Sequence, residues 1–250
     1  MIRAITRSIP ASFAQALSVR PPEPPIDVAL ARRQHDAYCA ALASCGVAIE
    51  VLAGDDACPD CCFVEDTAVV AGGRTLITRP GAPSRRAETA PVAAALARWL
   101  EVVVMTEPAT VDGGDCMRVG DTLYVGRSAR SNAAGVAQLA ALGLRIVVVE
   151  LPPGALHLKC VCSPLGGDRI LLAEQSIPAA AFDASIVWVP AAETYAANAV
   201  AVGQHVLVAA GFPRTHDALA AAGFTVHAVA SSEVRKADGS LTCQSIVLGE

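Results

Sequence analysis

The sequence predicts an α/β fold in which about five ββαβ units are set radially around a central channel. Three observations carry that expectation. A turn rich in glycine or polar residues, followed by a short apolar or alternating run, recurs at Gly72-Gly-Arg-Thr-Leu-Ile-Thr, Gly120-Asp-Thr-Leu-Tyr-Val, Gly166-Gly-Asp-Arg-Ile-Leu-Leu, Gly203-Gln-His-Val-Leu-Val and Asp238-Gly-Ser-Leu-Thr-Cys. Such a sequence is the local signature of a hairpin. The corresponding apolar positions Leu76, Leu123, Ile170, Val206 and Leu241 lie 47, 47, 36 and 35 residues apart, a spacing typical of repeat architectures. Between the turns sit segments with helical spacing, each followed by another strand-like run.

Taken in order, the N-terminal strand is followed by Pro21-Pro-Glu-Pro-Pro25, whose prolines enforce an extended surface loop. Gln34–Ser44 has helical spacing, stops at Gly46 and leads into a strand over Val47–Leu52. Phe63–Val70, Asp115–Val119, Leu156–Cys162 and Ala197–Val202 read as first strands of four hairpins. Helix followed by strand is expected at Arg86–Leu100 with Glu101–Met105, at Asn132–Leu142 with Arg145–Glu150, and at Thr215–Ala222 with Thr225–Val229. Ile177–Pro190 is too short for a comparable helix and reads as a degenerate unit. The last strand is expected over Asp238–Ser245, led in by its Asp-Gly turn and carrying Cys243. Repetition of hairpin, helix and strand about an axis places the ligand on that axis. No charged run or linker divides the chain, so residues 1–250 are expected to form a single domain. The competing arrangement is an ordinary α/β sandwich with coincidental Gly-Gly turns.

Composition excludes several functions. The chain has 250 residues, 53% of them hydrophobic, enough for a sizeable core. Its positive mean hydropathy suggests a membrane protein, yet no apolar run reaches the roughly 18 residues a span requires. The stretch from Val92 to Met105 is interrupted by Arg98 and Glu101, and no uninterrupted apolar segment precedes Ala14-Gln-Ala16 to make a signal peptide. A cytoplasmic protein without membrane association is expected. Net charge near −5 argues against nucleic acid and favours cationic ligands. Nine cysteines, at 39, 45, 58, 61, 62, 116, 160, 162 and 243, are an odd number in a large chain and read mostly as buried thiols. Cys58, Cys61 and Cys62 with Cys160 and Cys162 could bind zinc, but their aliphatic surroundings read as strand core.

If the strands line an axis, their polar residues converge. Asp60, Glu65 and Asp66 cluster in Cys58-Pro-Asp-Cys-Cys-Phe-Val-Glu-Asp66, Asp112 and Asp115 flank a Gly-Gly pair, His157 lies in Ala-Leu-His-Leu-Lys, and Cys243 comes last. Carboxylates gathered in a closed channel repel one another unless a cation joins them. A guanidinium is suited to that place, being planar, permanently charged and able to donate paired hydrogen bonds. A thiolate and an imidazole add a nucleophile and an acid/base. Each residue also has a plainer reading: Asp115 and Asp238 as turn formers, His157 as a core histidine, and His205, His216 and His227 as surface or packing residues.

These segments resemble a known family. Phe63-Val-Glu-Asp66, Leu76-Ile-Thr-Arg-Pro-Gly-Ala-Pro-Ser-Arg-Arg86, Asp112-Gly-Gly-Asp115, Leu156-His-Leu-Lys159, Ala196-Ala-Asn198 and Lys236-Ala-Asp-Gly-Ser-Leu-Thr-Cys243 are similar in content and order to the dimethylarginine dimethylaminohydrolases. That family belongs to a guanidine-modifying superfamily of five-bladed α/β propellers. The resemblance implies Cys243 as nucleophile, His157 as general acid/base and Asp112 as the acid that orients it, in a place where some members have Glu. It implies Asp60, Glu65, Asp66, Ala237 and Asp238 as substrate-binding residues, Arg85 and Arg130 as anchors for the amino-acid end of the substrate, and Leu17 as the leucine of a lid loop that is one residue short here. The implied substrate is a methylated arginine, a small cationic guanidine, hydrolysed by a monomer or homodimer with no metal or cofactor. Zinc at Cys243 and His157 would be inhibitory. The nearest alternatives are an arginine or agmatine deiminase releasing ammonia, and a non-catalytic five-bladed binding module.

Overall fold

The computed structural model describes residues 1–249, and among them fifteen strands form five three-stranded sheets. β1 (Arg3–Arg7) runs parallel to β2 (Ala48–Leu52). β3 (Ala68–Ala71) is antiparallel to β4 (Arg74–Ile77), which is parallel to β5 (Glu101–Val104). The same pattern joins β6 (Cys116–Val119), β7 (Thr122–Arg127) and β8 (Arg145–Glu150), then β9 (Cys162–Gly166), β10 (Arg169–Ala173) and β11 (Ser185–Val189). It recurs in β12 (Val200–Val202), β13 (His205–Ala209) and β14 (Thr225–Val229). β15 (Ser245–Leu248) is antiparallel to β1 and completes the first sheet.

Each blade therefore has an inner strand, a middle strand and an outer strand. The middle strands are almost wholly buried and the outer ones half exposed. This explains why Ile170–Ala173 and Val206–Ala209 read as continuous apolar runs: both faces are covered, so neither needs polar alternation. Hairpins β3–β4, β6–β7 and β12–β13 close through two-residue turns whose first glycine, at φ between +55° and +58°, adopts a backbone that a side chain disfavours.

Middle and outer strands are linked by α1 (Val28–Ser44), α2 (Thr89–Leu96), α3 (Ala133–Gln138) and α4 (Pro213–Ala221), with only a 3₁₀ turn at Ala179–Ala181 in the third unit. Caps set the starts: Asp27 Oδ1 accepts from the Leu30 amide at 2.9 Å, and Asn132 Oδ1 from Gly135 at 2.8 Å. The first helix begins six residues before the expected Gln34, because Asp27 supplies a cap that apolar spacing does not reveal. No helix among the described residues is long and apolar enough to cross a membrane.

Two expectations are corrected. Asp238-Gly239 is not a hairpin turn. It follows the short helix α5 (Ser232–Lys236), and Asp238 takes φ +54°. The middle strand of the fifth unit is β1, so Ile5 and not Leu241 occupies the position of Leu76 and Leu123. Cys243 accordingly lies on a 3₁₀ turn, Thr242–Gln244, directly before β15.

Candidate active site

That turn has counterparts. A 3₁₀ segment precedes the inner strand in every unit: Val64–Thr67 before β3, Gly113–Asp115 before β6, Leu158–Cys160 before β9, Ala191–Ala197 shortly before β12, and Thr242–Gln244 before β15. Much of what the sequence suggests as first strands is this set of turns. Each turns tightly, and the first, third and fifth, with the residues just before them, carry Phe63, Asp66, His157 and Cys243 into one cavity. The turns brace one another. The Gly114 amide donates to Asp66 Oδ1 at 2.9 Å, Leu158 N–H to Asp115 Oδ1 at 3.2 Å, and the Thr242 amide to Asn198 Oδ1 at 2.9 Å. Asn198 also donates to Lys159 O and Thr242 Oγ1, both at 2.9 Å, tying the turn after His157 to the turn that holds Cys243.

At this end of the axis lies a cavity of about 230 Å³ lined by Cys243, His157, Asp66, Asp60, Arg85, Arg130, Leu17, Ala237 and Asp238, with Phe63 and Leu156. Asp112 lies behind the histidine, fully buried, with Oδ2 3.0 Å from His157 Nε2 and Oδ1 accepting from Gly81 at 2.8 Å. An aspartate therefore reaches the imidazole despite its shorter side chain. Glu65 does not line this cavity. It faces a second one of about 410 Å³ and is bound there by Lys159 at 2.6 Å and Thr242 Oγ1 at 2.6 Å.

Arg85 is buried between two acids, 2.5 Å from Asp66 and 2.8 Å from Glu88, and donates to Phe63 O at 2.9 Å. Arg130 is more open and lies 3.7 Å from Asp112. The backbone around Leu17, expected as a lid loop, is held by two cavity carboxylates: Asp60 Oδ1 accepts from Leu17 N–H at 3.0 Å and Asp238 Oδ2 from Val19 N–H at 2.5 Å.

Charge within the cavity is steeply arranged. Burial alone would raise the Asp66 carboxyl, but His157 and Arg85 overcome it and hold it at about 2. Burial would lower His157, yet Asp66, the Asp112 hydrogen bond and Asp115 raise it to about 9. The imidazole is thus charged at neutral pH. Burial, then Glu65 and Asp66, push the Cys243 thiol well above its usual range. No hydrogen bond joins Cys243 to His157 among the described residues. Asp66, Asp112 and His157 have donor atoms close enough to hold a metal ion, but Arg85 and the imidazolium already supply the positive charge these carboxylates require.

Comparison with known proteins bears on this geometry. The family described as N,N dimethylarginine dimethylhydrolase, eukaryotic, matches residues 23–191. A dimethylarginine dimethylaminohydrolase of Pseudomonas aeruginosa is 40% identical over 88% of this chain and 89% of its own. One from Streptomyces coelicolor is 40% identical over 99% and 97%. The chain belongs to the dimethylarginine dimethylaminohydrolase family. The structure of the P. aeruginosa dimethylarginine dimethylaminohydrolase, a cysteine-to-serine mutant complexed with citrulline, superposes with a TM-score of 0.92 at 37% identity, covering 98% of each chain. The five-unit α/β propeller is therefore the fold of this family.

Several residues that build the site carry no assigned role in the sequence pattern. Asp115, read as a possible turn former, is buried, accepts from Ser131 Oγ at 2.6 Å and from Ser128, and anchors the turn after His157. Glu88 had no signal beyond its neighbours, and Phe63 was visible only as part of a motif. Asn198 was visible only as part of a motif.

Proposed function

We propose that this protein hydrolyses Nω-methylated arginines, asymmetric dimethylarginine and monomethylarginine, to citrulline and dimethylamine or methylamine through an S-alkylthiouronium on Cys243. One observation carries the reading: a sulfur, an imidazolium and several carboxylates share a 230 Å³ cavity fit for a flat cation, in a chain of this family. The target carbon is electron-poor but resonance-stabilised, so attack requires a soft nucleophile. In the empty site the Cys243 thiol keeps its proton, because burial and the acids around it oppose the thiolate. A bound guanidinium supplies the positive charge that favours ionisation, and the proton leaves to solvent.

The thiolate adds to the carbon while Asp66 and neighbouring acids orient the nitrogens. His157, charged at this stage, protonates the departing amine. Having lost its proton, it then takes one from the water that attacks the thiouronium. Collapse releases citrulline and returns the sulfur. Asp112 favours the charged imidazole and fixes its ring. Arg130, the more open of the two arginines, is assigned to the substrate carboxylate. Arg85 supports that end while neutralising Asp66 and Glu88.

The test is a side-by-side assay of arginine, agmatine and the methylarginines that measures citrulline and the released amine. Dimethylamine and methylamine with citrulline are expected. Faster release of ammonia from arginine or agmatine overturns the assignment. Mass spectrometry of acid-quenched enzyme is expected to find the covalent adduct on the peptide containing Cys243.

A further inference from the structure

A second set of ligating side chains lies outside both cavities. Cys45 caps the C-terminal end of α1, His205 opens β13, and His227 is central in β14. β13 and β14 are parallel, with Leu207 opposite His227. His205, two residues before Leu207, therefore shares a face with His227. α1 packs against β14 from the adjoining unit, with Tyr38, Leu42 and Val47 against Val202, Leu207 and Val229. The end of that helix brings Cys45 to the two imidazoles. One nitrogen of each ring and the Cys45 sulfur lie within 4.8 Å of one another.

His205 Nδ1 and His227 Nε2 face each other at 3.0 Å. Two imidazole nitrogens at that distance need something between them, a shared proton or a metal ion. Zinc–nitrogen bonds set a tetrahedral N···N edge of about 3.3 Å, so a shift of a few tenths of an ångström would admit the ion. All three side chains are partly exposed, which gives an ion a way in and leaves room for a water as fourth ligand. The donor set, one sulfur and two imidazoles, suits zinc and other borderline-soft divalent ions better than calcium or magnesium.

We propose that Cys45, His205 and His227 form a zinc site that clips the unit containing β1 and β15 to its neighbour. On binding, the Cys45 thiol releases its proton to solvent. The hydrogen bond between the imidazoles gives way to two nitrogen–metal bonds, and water completes the tetrahedron. The ion takes no part in the reaction. Because the ligands converge only when the two units are docked, zinc binds the native state and stabilises it by mass action.

The experiment uses the Cys243→Ser protein, which removes the thiol that lines the proposed active site. Cobalt(II) is expected to bind with one equivalent, giving a cobalt–thiolate charge-transfer band and the strong visible bands of a tetrahedral centre. Zinc at about 100-fold excess over its Kd is expected to raise Tm by about 5 °C or more. Cys45→Ser in the same background should abolish the thiolate band and the Tm shift. His205→Ala and His227→Ala should each weaken binding by more than the roughly 10–100-fold that a supporting residue costs. Circular dichroism establishes that each variant is folded. A missing thiolate band, binding that survives Cys45→Ser, or a Tm unmoved by zinc overturns the proposal and leaves a hydrogen-bonded histidine pair.

Discussion

Two cavities open on the axis of this molecule, and the larger one is not the candidate site. The cavity of about 410 Å³ is lined by inner strands and by the hairpin turns at Gly72, Gly120 and Gly166. Its charged side chains are satisfied internally: Glu65 by Lys159 and Thr242, and Arg118 by Gly120 O. The cavity of about 230 Å³ is lined by turns and the loops that lead into them, and there Asp60, Asp66, Asp238, Arg85, Arg130 and His157 surround Cys243. The same repeat thus builds two ends of opposite character. Glycine turns need conformational freedom and carry little chemistry, whereas the turns before the inner strands carry one polar side chain after another. Volume does not select a site. Titratable groups with displaced acidities gathered around a thiol do.

The sharpest way to break this comparison is to remove the sulfur. Cys243→Ser is expected to cut citrulline formation on the order of 10⁴-fold or more while the far-ultraviolet circular dichroism stays unchanged. Retained turnover would move the nucleophile elsewhere. In the other cavity, Lys159→Met leaves Glu65 buried without its cation, and a stability loss of about 3–5 kcal/mol in urea unfolding is expected. Adding Glu65→Gln should recover much of it. Were Lys159→Met to abolish turnover at unchanged stability, the ion pair would belong to the active site and the contrast between the ends would fail.

Acidity sharpens the comparison next. Folding raises His157 from its ordinary 6.5 to about 9, so its contribution is fully present below about pH 6.5 and is lost as pH rises through 9. The amount is on the order of 3 kcal/mol. Asp66 is depressed from 3.8 to about 2, so its contribution holds above pH 3.8 and is lost as pH falls through 2. Asp112→Asn removes an anion that holds the imidazolium. Denaturant unfolding from pH 6 to 10 should then show the alkaline loss of stability becoming smaller and moving to lower pH. An unchanged profile would show that Asp112 does not set the charge of His157.

Smaller effects test the turns themselves. A Cβ on Gly114 would stand 2.7 Å from His157 Nδ1 and 2.9 Å from Asp66 Oδ1. Gly114→Ala is expected to displace the imidazole and lower kcat about 10²-fold with a modest stability change. At the opposite end, Gly203→Ala meets no neighbour but must adopt φ +56°. It is expected to cost about 1 kcal/mol and leave the kinetics untouched. A kinetic defect there would couple the two ends.

How much was legible depended on how local the signal was. Middle strands such as Leu76 in β4 and Leu123 in β7 announced themselves because a glycine turn and an apolar run are adjacent in sequence. The 3₁₀ turns did not, since segments as short as Leu158–Cys160 have no periodicity to distinguish them from strand. Glu65 and Asp66 are consecutive carboxylates that looked equivalent, yet they serve opposite cavities because successive residues of a tight turn point in different directions. His205 and His227 read as packing residues, since nothing in a one-dimensional pattern brings them to Cys45.

By itself the sequence determined the repeated unit, the covered middle strands, the family motifs and the inventory of acids, imidazole and thiol, because these follow from periodicity and residue chemistry within a few positions. Only the tertiary structure decided that β1 completes the last unit by pairing with β15, more than two hundred residues away. It also decided that Asp112 reaches His157, that Arg85 is held by two acids, and that Cys243 and His157 line the same cavity. The reason is physical: strand register and side-chain direction are fixed by partners distant in the chain, and a local pattern carries no record of which partner closes the ring.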